Sequence, residues 1–492
     1  MTKNNNKQTL LEGENKNSNP LGYMPVGKLL LTFSIPSIVQ MLINSIYNIV
    51  DQIFIGQGVG YLGNAATTVT FPIMTIILAF AAMIGIGGAA YASIKLGQKK
   101  EEEAEKTLSS QYVLAVLVGL TLMILGLLFL KPLLNVFGAT DAVMPYALDY
   151  ASIILLGAPF SVLGITLSNL ARADGSPRMS MYSVLIGAIL NCILDPIYIF
   201  VFHWGVKGAA VATVTSQFIT FAILTVYFLK HGKNMRLKRK YLKPNFGLWR
   251  STTALGLSSA ITHGSATVTQ TVMNNSLVYY GNLDPFVGSD VALSAMGIVM
   301  KIIMILVAIG VGVGLGSQPI IGFNFGAKQP HRIKRCYYLA VSAATSVILI
   351  GWLACQIFPE QILSLFGTAS ESFTYFAVRC IRIYTFAVFL SGFQIISTSF
   401  FQATGQPLKA SMLSALRQLI LLVPLILIFP LYFGLNGILY AGPVADVVSA
   451  LIVFFFIRAE MKKTNRWIAQ CKEDDFITTQ TELFKDPLDN AK

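Results

Sequence analysis

Only 12% of the 492 residues are charged, so the acids set inside apolar stretches are the first chemistry to weigh. Asp51 lies in LINSIYNIVDQIF and Asp195 in ILNCILDPIYIF. Asn44, Tyr47, Asn48 and Asp51 fall at i, i+3, i+4 and i+7, which puts them on one face of a helix. Asn191 and Asp195 are four apart and share a face, as do Thr213 and Gln217. Tyr150 and Asn169 stand near the two ends of another apolar stretch. Two carboxylates with amide, hydroxyl and phenol neighbours suit a hard cation bound through oxygen. The same pair suits a proton, because buried and mutually close carboxyls exchange protons in response to their surroundings. The coupling candidates on these grounds are Asp195 and Asp51, with Asn44, Tyr47, Asn48, Tyr150, Asn169, Asn191, Thr213 and Gln217 as the polar groups around them. The bland alternative is that each acid caps a helix end or faces water. Pro36 lies fifteen residues before Asp51. A proline inside a helix removes one backbone bond and bends it, so Pro36 is a candidate hinge or else a static kink.

The elements that position these groups must span a membrane. The chain is 54% hydrophobic, against roughly 45–50% apolar and about 25% charged in soluble domains. Its apolar runs exceed the ~20 residues that cross a bilayer as a helix. They are continuous, unlike the alternating strands of a barrel. Twelve spans are expected, at about 29–55, 65–91, 108–131, 147–173, 179–202 and 206–229, then 251–280, 290–318, 336–359, 373–404, 409–432 and 436–459. This is an all-α integral membrane fold of two six-helix lobes, 29–229 and 251–459. A cytoplasmic tail of 1–28, a basic linker of 230–250 and a tail of 460–492 complete the chain.

The net charge of +13 sits mainly in alternate loops, with Lys99, Lys100, Arg236, Lys238, Arg239, Lys240, Lys334 and Arg335 on one side. The opposite loops hold Lys131 and Lys207. By the positive-inside bias both termini are cytoplasmic, in a multi-pass protein of the cell membrane. The linker basic cluster reads as a cytoplasmic anchor, with anionic-lipid contact as the functional alternative. Nucleic acid is not an expected partner, since no recognition motif accompanies the charge. The five cysteines form no CxxC pair, which speaks against a disulfide framework or metal knuckle.

The halves repeat at an offset near 229. Leu134 to Thr140 (LNVFGAT) matches Leu363 to Ala369 (LSLFGTA). Gly85, Gly87 and Gly97 fall opposite Gly314, Gly316 and Gly326, and Gly205 and Gly208 opposite Gly434 and Gly437. ARADGSPRMSM pairs with FQATGQPLKAS at 230. Six spans per half give both halves the same orientation, a parallel repeat of the kind secondary transporters use, with a cavity between the lobes. A filter-like ring for a channel and a Walker A loop for a pump are both missing from the sequence. No nucleophile–base pair or metal motif suggests an enzyme.

The second half lacks matching acids. The stretch opposite Asp51 reads Val272-Met273-Asn274-Asn275, and Leu421 falls opposite Asn191. Ion coupling is therefore expected in the first lobe alone. Gln270, Asn274, Met296 and Gln394 are the candidate substrate-cavity residues, amides and Met giving an adaptable surface; interhelical bonding is their plainer role. Lys301 could snorkel to the membrane surface or pair with a carboxylate, and Arg417 could pair with Asp446.

FSIPSIVQMLINSIYNIVDQIFIGQGVG, GIGGAAYASIKLGQKKEEEAEKT, LARADGSPRMSM, ILNCILDPIYIFVFHWGVKGAAVATVTSQ, QPIIGFNFGAK and FQATGQP together resemble the multidrug and toxic compound extrusion (MATE) family over about residues 25–460. The acids follow the pattern of its DinF-like branch and of MepA-like members. The resemblance implies a V-shaped pair of six-helix bundles. It implies a secondary active antiporter that exports organic cations and other amphipathic drugs in exchange for inward H⁺ or Na⁺. Its coupling positions carry over to Asp51, Tyr150, Asn169, Asn191, Asp195 and Thr213, with Na⁺ held at Asp51, Asn191, Asp195 and Thr213 if that is the ion. No cofactor is implied, and the chain is expected to work as a monomer. The alternative is a lipid or lipid-linked saccharide flippase of a related superfamily, which would need a more cationic cavity.

Overall fold

The computed structural model describes residues 19–364 and 371–483, and the described residues form helices and turns without a strand. Residues 1–18 and 484–492 of the expected tails, and part of the Leu363 to Ala369 anchor, lie outside the described residues. The first half contains α1 (Val26–Val59), α2 (Tyr61–Gly97), α3 (Glu101–Leu128), α4 (Met144–Ala173), α5 (Pro177–Val201) and α6 (Gly205–His231). The second contains α7 (Phe246–Asn282), α8 (Ser289–Gly326), α9 (Pro330–Ile357), α10 (Ser372–Tyr384 and Val388–Ala403), α11 (Pro407–Phe433) and α12 (Leu435–Leu483).

Ten of these helices are long and apolar enough to cross a bilayer, and the two limbs of α10, bent by 41°, make an eleventh. The other segment, α7, has 37 residues, but its middle, ITHGSATVTQTVMNN, is too polar to qualify by composition. It packs against α2 and α11. Exposed Leu128, Ile350, Leu431 and Phe455 are the outward apolar side chains that a lipid-facing surface requires. The expected end of the last span, near 459, is overrun, because α12 continues to Leu483. Trp467 stacks edge-on against Phe325 at 5.9 Å and Lys334 Nζ donates to Asn465 Oδ1 at 2.9 Å, so the start of the tail is docked.

The repeat is visible in the backbone. Lys99 and Lys328 both take left-handed φ values of 59° and 54°, Gly175 and Gly405 of 82° and 74°, and Gly205 and Gly434 of 55° and 57°. A Cβ on Gly97 would strike the Phe323 carbonyl, and a Cβ on Gly326 would strike the Ile94 carbonyl. These are the same contact seen from each half, and only glycine permits so close an approach.

The two halves cross at α1 with α8 and at α7 with α2. Gly312 meets Ile38 and Gly316 meets Ser34, while Gly256 meets Met83 and Gly87 meets Thr252. Gly312 and Gly316 are the repeat partners of Met83 and Gly87. The partners of Ile38 and Ser34 are therefore residues 256 and 252, an offset of 218 (256 less 38, and 252 less 34). This corrects the expected register: Thr269, not the 272–275 stretch, is the counterpart of Asp51. The insertion that separates 218 from 229 falls between the first two spans of each half, where the glycine anchors give no register.

Three apolar cores hold the molecule. One joins both halves near the termini and includes Phe33, Leu96, Leu170, Phe228, Ile320, Tyr337, Phe400 and Met461. The other two belong to one half each, around Ile55, Ile73 and Tyr150 in the first and around Met273, Phe376 and Ile426 in the second. Among the described residues no apolar core bridges the halves at the end away from the termini. The lobes are joined at one end and separate at the other, which gives the V.

Candidate functional site

The first-half acids meet behind α1. Asp51, on α1, is 8% exposed and Asp195, on α5, is fully buried. Their carboxyls lie within side-chain hydrogen-bonding reach of each other. Asn191 Nδ2 donates to Asp195 Oδ1 at 3.2 Å and approaches Thr213 Oγ1 of α6 at 3.4 Å. Tyr150 of α4 is buried with Asp51, Asp195 and Tyr47 as its charged or phenolic neighbours. Asn44 and Tyr47 are both engaged with other groups. The side chain of Asn48 lies outside the described residues.

Three oxygens in this cluster are buried without a hydrogen-bond partner: Asp51 Oδ1, Asp195 Oδ2 and Asn191 Oδ1. An orphaned buried acceptor costs about 1–3 kcal/mol, and more when charged. Three together, two of them on carboxylates, form a pocket of negative potential that a cation or proton relieves. Local sequence builds it. Pro196 directly follows Asp195 and α5 then loosens into a π turn over Ile197–Val201, a distortion frequent at functional sites.

Other expected positions fall elsewhere. Asn169 shares α4 with Tyr150 but lies nineteen residues on, about 28 Å along the axis. Its amide donates to Ile165 O at 2.8 Å and its oxygen accepts from Arg172 Nη2 at 2.5 Å. It is thus part of a separate network in which Arg172 Nη1 donates to Gln40 Oε1 of α1 and to Ser180 Oγ of α5, each at 3.0 Å. Gln217 is half-buried one turn from Thr213, and no hydrogen bond ties it to the acids. Gln270 donates to Asn274 at 2.8 Å on an exposed part of α7. Met296 is 1% exposed within the second-half core. Gln394 is buried and donates to Asp446 O at 2.9 Å and to Ser449 Oγ at 2.8 Å. Met296 and Gln394 are therefore packing residues, not cleft residues, because their helices turn those faces inward. Arg417 and Asp446 form the anticipated pair, Nε to Oδ1 at 2.5 Å.

In the sequence ARADGSP stood as a repeat anchor and a family motif, with no role for its acid. Within it, Asp174 captures the linker between the halves. Its carboxylate accepts from the backbone N–H groups of Lys233 (2.8 Å), Asn234 (2.7 Å) and Met235 (2.8 Å) and from Tyr227 OH (2.6 Å). Burial pushes the Asp174 carboxyl above its ordinary range, and these donors pull against that. A lone acid in an Asp-Gly turn was the available signal.

A model of the MatE family matches residues 36–197 and again residues 268–428. The chain belongs to the MatE family. The double match falls once in each half of this MatE protein, as the repeat demands. Among curated relatives, it is 27% identical over 434 residues to the multidrug export protein MepA of Staphylococcus haemolyticus, covering 87% of this chain and 93% of that one. It is 26% identical over 433 residues to MepA of Staphylococcus aureus strain MRSA252, covering 88% and 94%. Among solved structures, MATE in the bent conformation superposes with a TM-score of 0.83 at 23% identity over 90% of this chain and 96% of that one. The outward-facing conformation of a multidrug resistance MATE family transporter superposes equally, at 0.83 and 23%, over 90% and 97%. These likenesses show the fold.

Proposed function

We propose that this MatE chain is a secondary active antiporter of the cell membrane that exports amphipathic drugs, organic cations among them, in exchange for inward H⁺ or Na⁺. The observation that carries the reading is the buried Asp51–Asp195 pair with its unpartnered oxygens. Two bare carboxylates at hydrogen-bonding distance in a dry site repel each other, so the site takes a proton or a small cation. An oxygen-only donor set of Asp51, Asp195, Asn191 and Thr213 suits Na⁺ as a transported ion equally. The names of the MepA relatives supply the substrate class.

Coupling works through the two faces of α1. Asp51 lies thirteen residues from Ile38, about 140° round the helix. Ile38 marks the face toward the other half, so Asp51 looks into its own lobe while the exposed Ile49 and Gln52 look into the cleft. Filling the site draws α1 toward α5 and α6 and reshapes the cleft wall. The drug, pressing on the opposite face, favours the emptied site. Near the termini α1 is held at Ser34 and Ile38 by α8 and at Gln40 by Arg172. Pro36 sits between these clamps, so in this conformation it sets a held bend, and the segment beyond Gln40 is the part of α1 free to move. Pro36 acts as the hinge when the Ile38 and Gln40 contacts release. With the termini cytoplasmic, the V of this conformation opens outward.

The flippase reading is weaker. Arg417 is neutralised by Asp446, which leaves Lys301, Arg379 and Arg382 as scattered single cations and not the cluster of several basic groups that a phosphate headgroup requires. The test is the purified full chain in proteoliposomes, loaded with ethidium and given H⁺ and Na⁺ gradients separately. Wild type moves dye under one gradient and Asp195→Asn moves none while folding normally. Undiminished driven transport in Asp195→Asn overturns the proposal.

A further inference from the structure

Lys301 is a charged side chain within the membrane-spanning part of α8 that the coupling site does not use. It is exposed, and no hydrogen bond or ion pair holds it among the described residues. Its direction follows from the helix. Eleven residues separate it from Gly312, which brings it within about 20° of the same face. Gly312 and Gly316 are where α8 packs on α1 of the other half, at Ile38 and Ser34. Val299, Ile302 and Leu306, pointing elsewhere, are buried in the second-half core. Lys301 therefore looks across the opening between the lobes, not into lipid. The helices run antiparallel, and the Gly312–Ile38 and Gly316–Ser34 pairs carry the register on to Lys301 opposite residue 49. The ammonium stands at the level of Ile49, with Asp51 on the far side of the same helix.

Around Lys301 the rest of those facing surfaces is uncharged. On α1 it carries Ile49 and Gln52; on α2, Ile76 and Phe80, both exposed. On α7 it carries His263, Gln270 and Asn274. Among the described residues of these four faces one other charged group appears, Asp290, exposed on the same side of α8 but eleven residues, about 16 Å, beyond Lys301 and out of pairing reach; the acid pair is turned away behind α1. An unpaired ammonium at this depth is costly unless water or a counter-charge reaches it.

We infer that Lys301 is a specificity-determining residue of the cleft and that it takes the carboxylate of an amphipathic substrate, whose apolar body lies against Ile49, Ile76 and Phe80. This rests on the export function proposed above and names its substrate class more narrowly: amphiphiles bearing a carboxylate are favoured over bare cations. A charge-assisted hydrogen bond in a partly dried site distinguishes an acid from its ester by about tenfold.

The probes are rhodamine B, which carries a free carboxylate, and its ethyl ester, which does not. Equilibrium binding to the full-length protein in detergent is read by fluorescence polarisation. Driven uptake of both dyes into proteoliposomes is read separately. Wild type should bind the acid about tenfold more tightly than the ester. Lys301→Met should bring the ratio to about one by weakening the acid alone, and Lys301→Arg should keep it. Equal or better binding of the ester by wild type overturns the inference, as does an unchanged ratio in Lys301→Met. If Lys301→Met misfolds, Lys301→Gln answers the same question, and a ratio unchanged there is equally fatal. Failure of the export proposal looks different: neither dye moves under either gradient, while the binding ratio still reports on Lys301.

Discussion

The two halves of this MatE protein share a backbone plan and differ in what they do with buried charge. In the first, Asp51 and Asp195 lie together with Asn191, and each of the three keeps an oxygen without a partner. In the second, Thr269 stands where Asp51 would be, and Pro424 and Leu425 stand at the two offsets that mark Asp195. The buried acid there is Asp446, opposite Gln217 in the repeat; its Oδ2 also lacks a hydrogen-bond partner, but Arg417 neutralises its charge through Oδ1 at 2.5 Å. One half leaves its acids needing a cation; the other supplies the cation covalently, on its own chain. A duplicated fold can thus keep its packing rules in both copies and reserve exchangeable charge for one.

The sharpest way to break this contrast is Asp51→Asn, which should abolish gradient-driven transport in proteoliposomes as fully as Asp195→Asn. Coupled transport surviving both would remove the distinction between the halves. Next in size is Arg417→Met, which strands Asp446 in the core. Breaking a buried pair from one side costs about 3–5 kcal/mol, read as a lower midpoint of unfolding in detergent. The double variant Arg417→Met/Asp446→Leu should recover most of that loss and transport normally. If it lost coupling instead, the second half would hold more than a structural pair.

Asp174→Ala should cost about 2–4 kcal/mol, because it leaves backbone donors of the linker unpaired. Its pH dependence has a definite sign. The folded-state pKa lies above the ordinary 3.8, so folding takes up a proton in the window just above that value. Stability from this group falls as pH rises through the window, and Asp174→Ala should flatten that slope in a pH series of melting midpoints. The smallest effects sharpen the borders of the site. Thr213→Val should weaken the apparent affinity for the coupling ion by about tenfold, the worth of one hydrogen-bonding oxygen. Asn169→Ala should leave that affinity unchanged and lower only stability, since its bonds go to Arg172 and Ile165.

Much of this was legible in the chain. The twelve segments, the repeat and the Asn191–Asp195 pairing followed from apolar length, glycine spacing and helical periodicity, all local properties; that Asp51 and Thr213 join that pair was implied by the family resemblance. Asn169 was grouped with the acids by the family resemblance, although its place at the opposite end of its span from Tyr150 already separated the two along the helix axis. Met296 and Gln394 were misread because composition names a cavity-compatible side chain without saying which way its helix is rotated.

The sequence by itself determined that this is a two-half helical membrane protein with its spare acids in the first half, because hydrophobic length and residue spacing act within one helix. Only the tertiary structure decided that the acids face inward behind α1, that Asp174 holds the linker, that α1 and α7 are related at 218 and that Lys301 looks into the cleft. Those facts depend on how helices distant in sequence are rotated and stacked against one another. That rotation is set by contacts such as Gly312 on Ile38 and Gly256 on Met83, which no single segment contains.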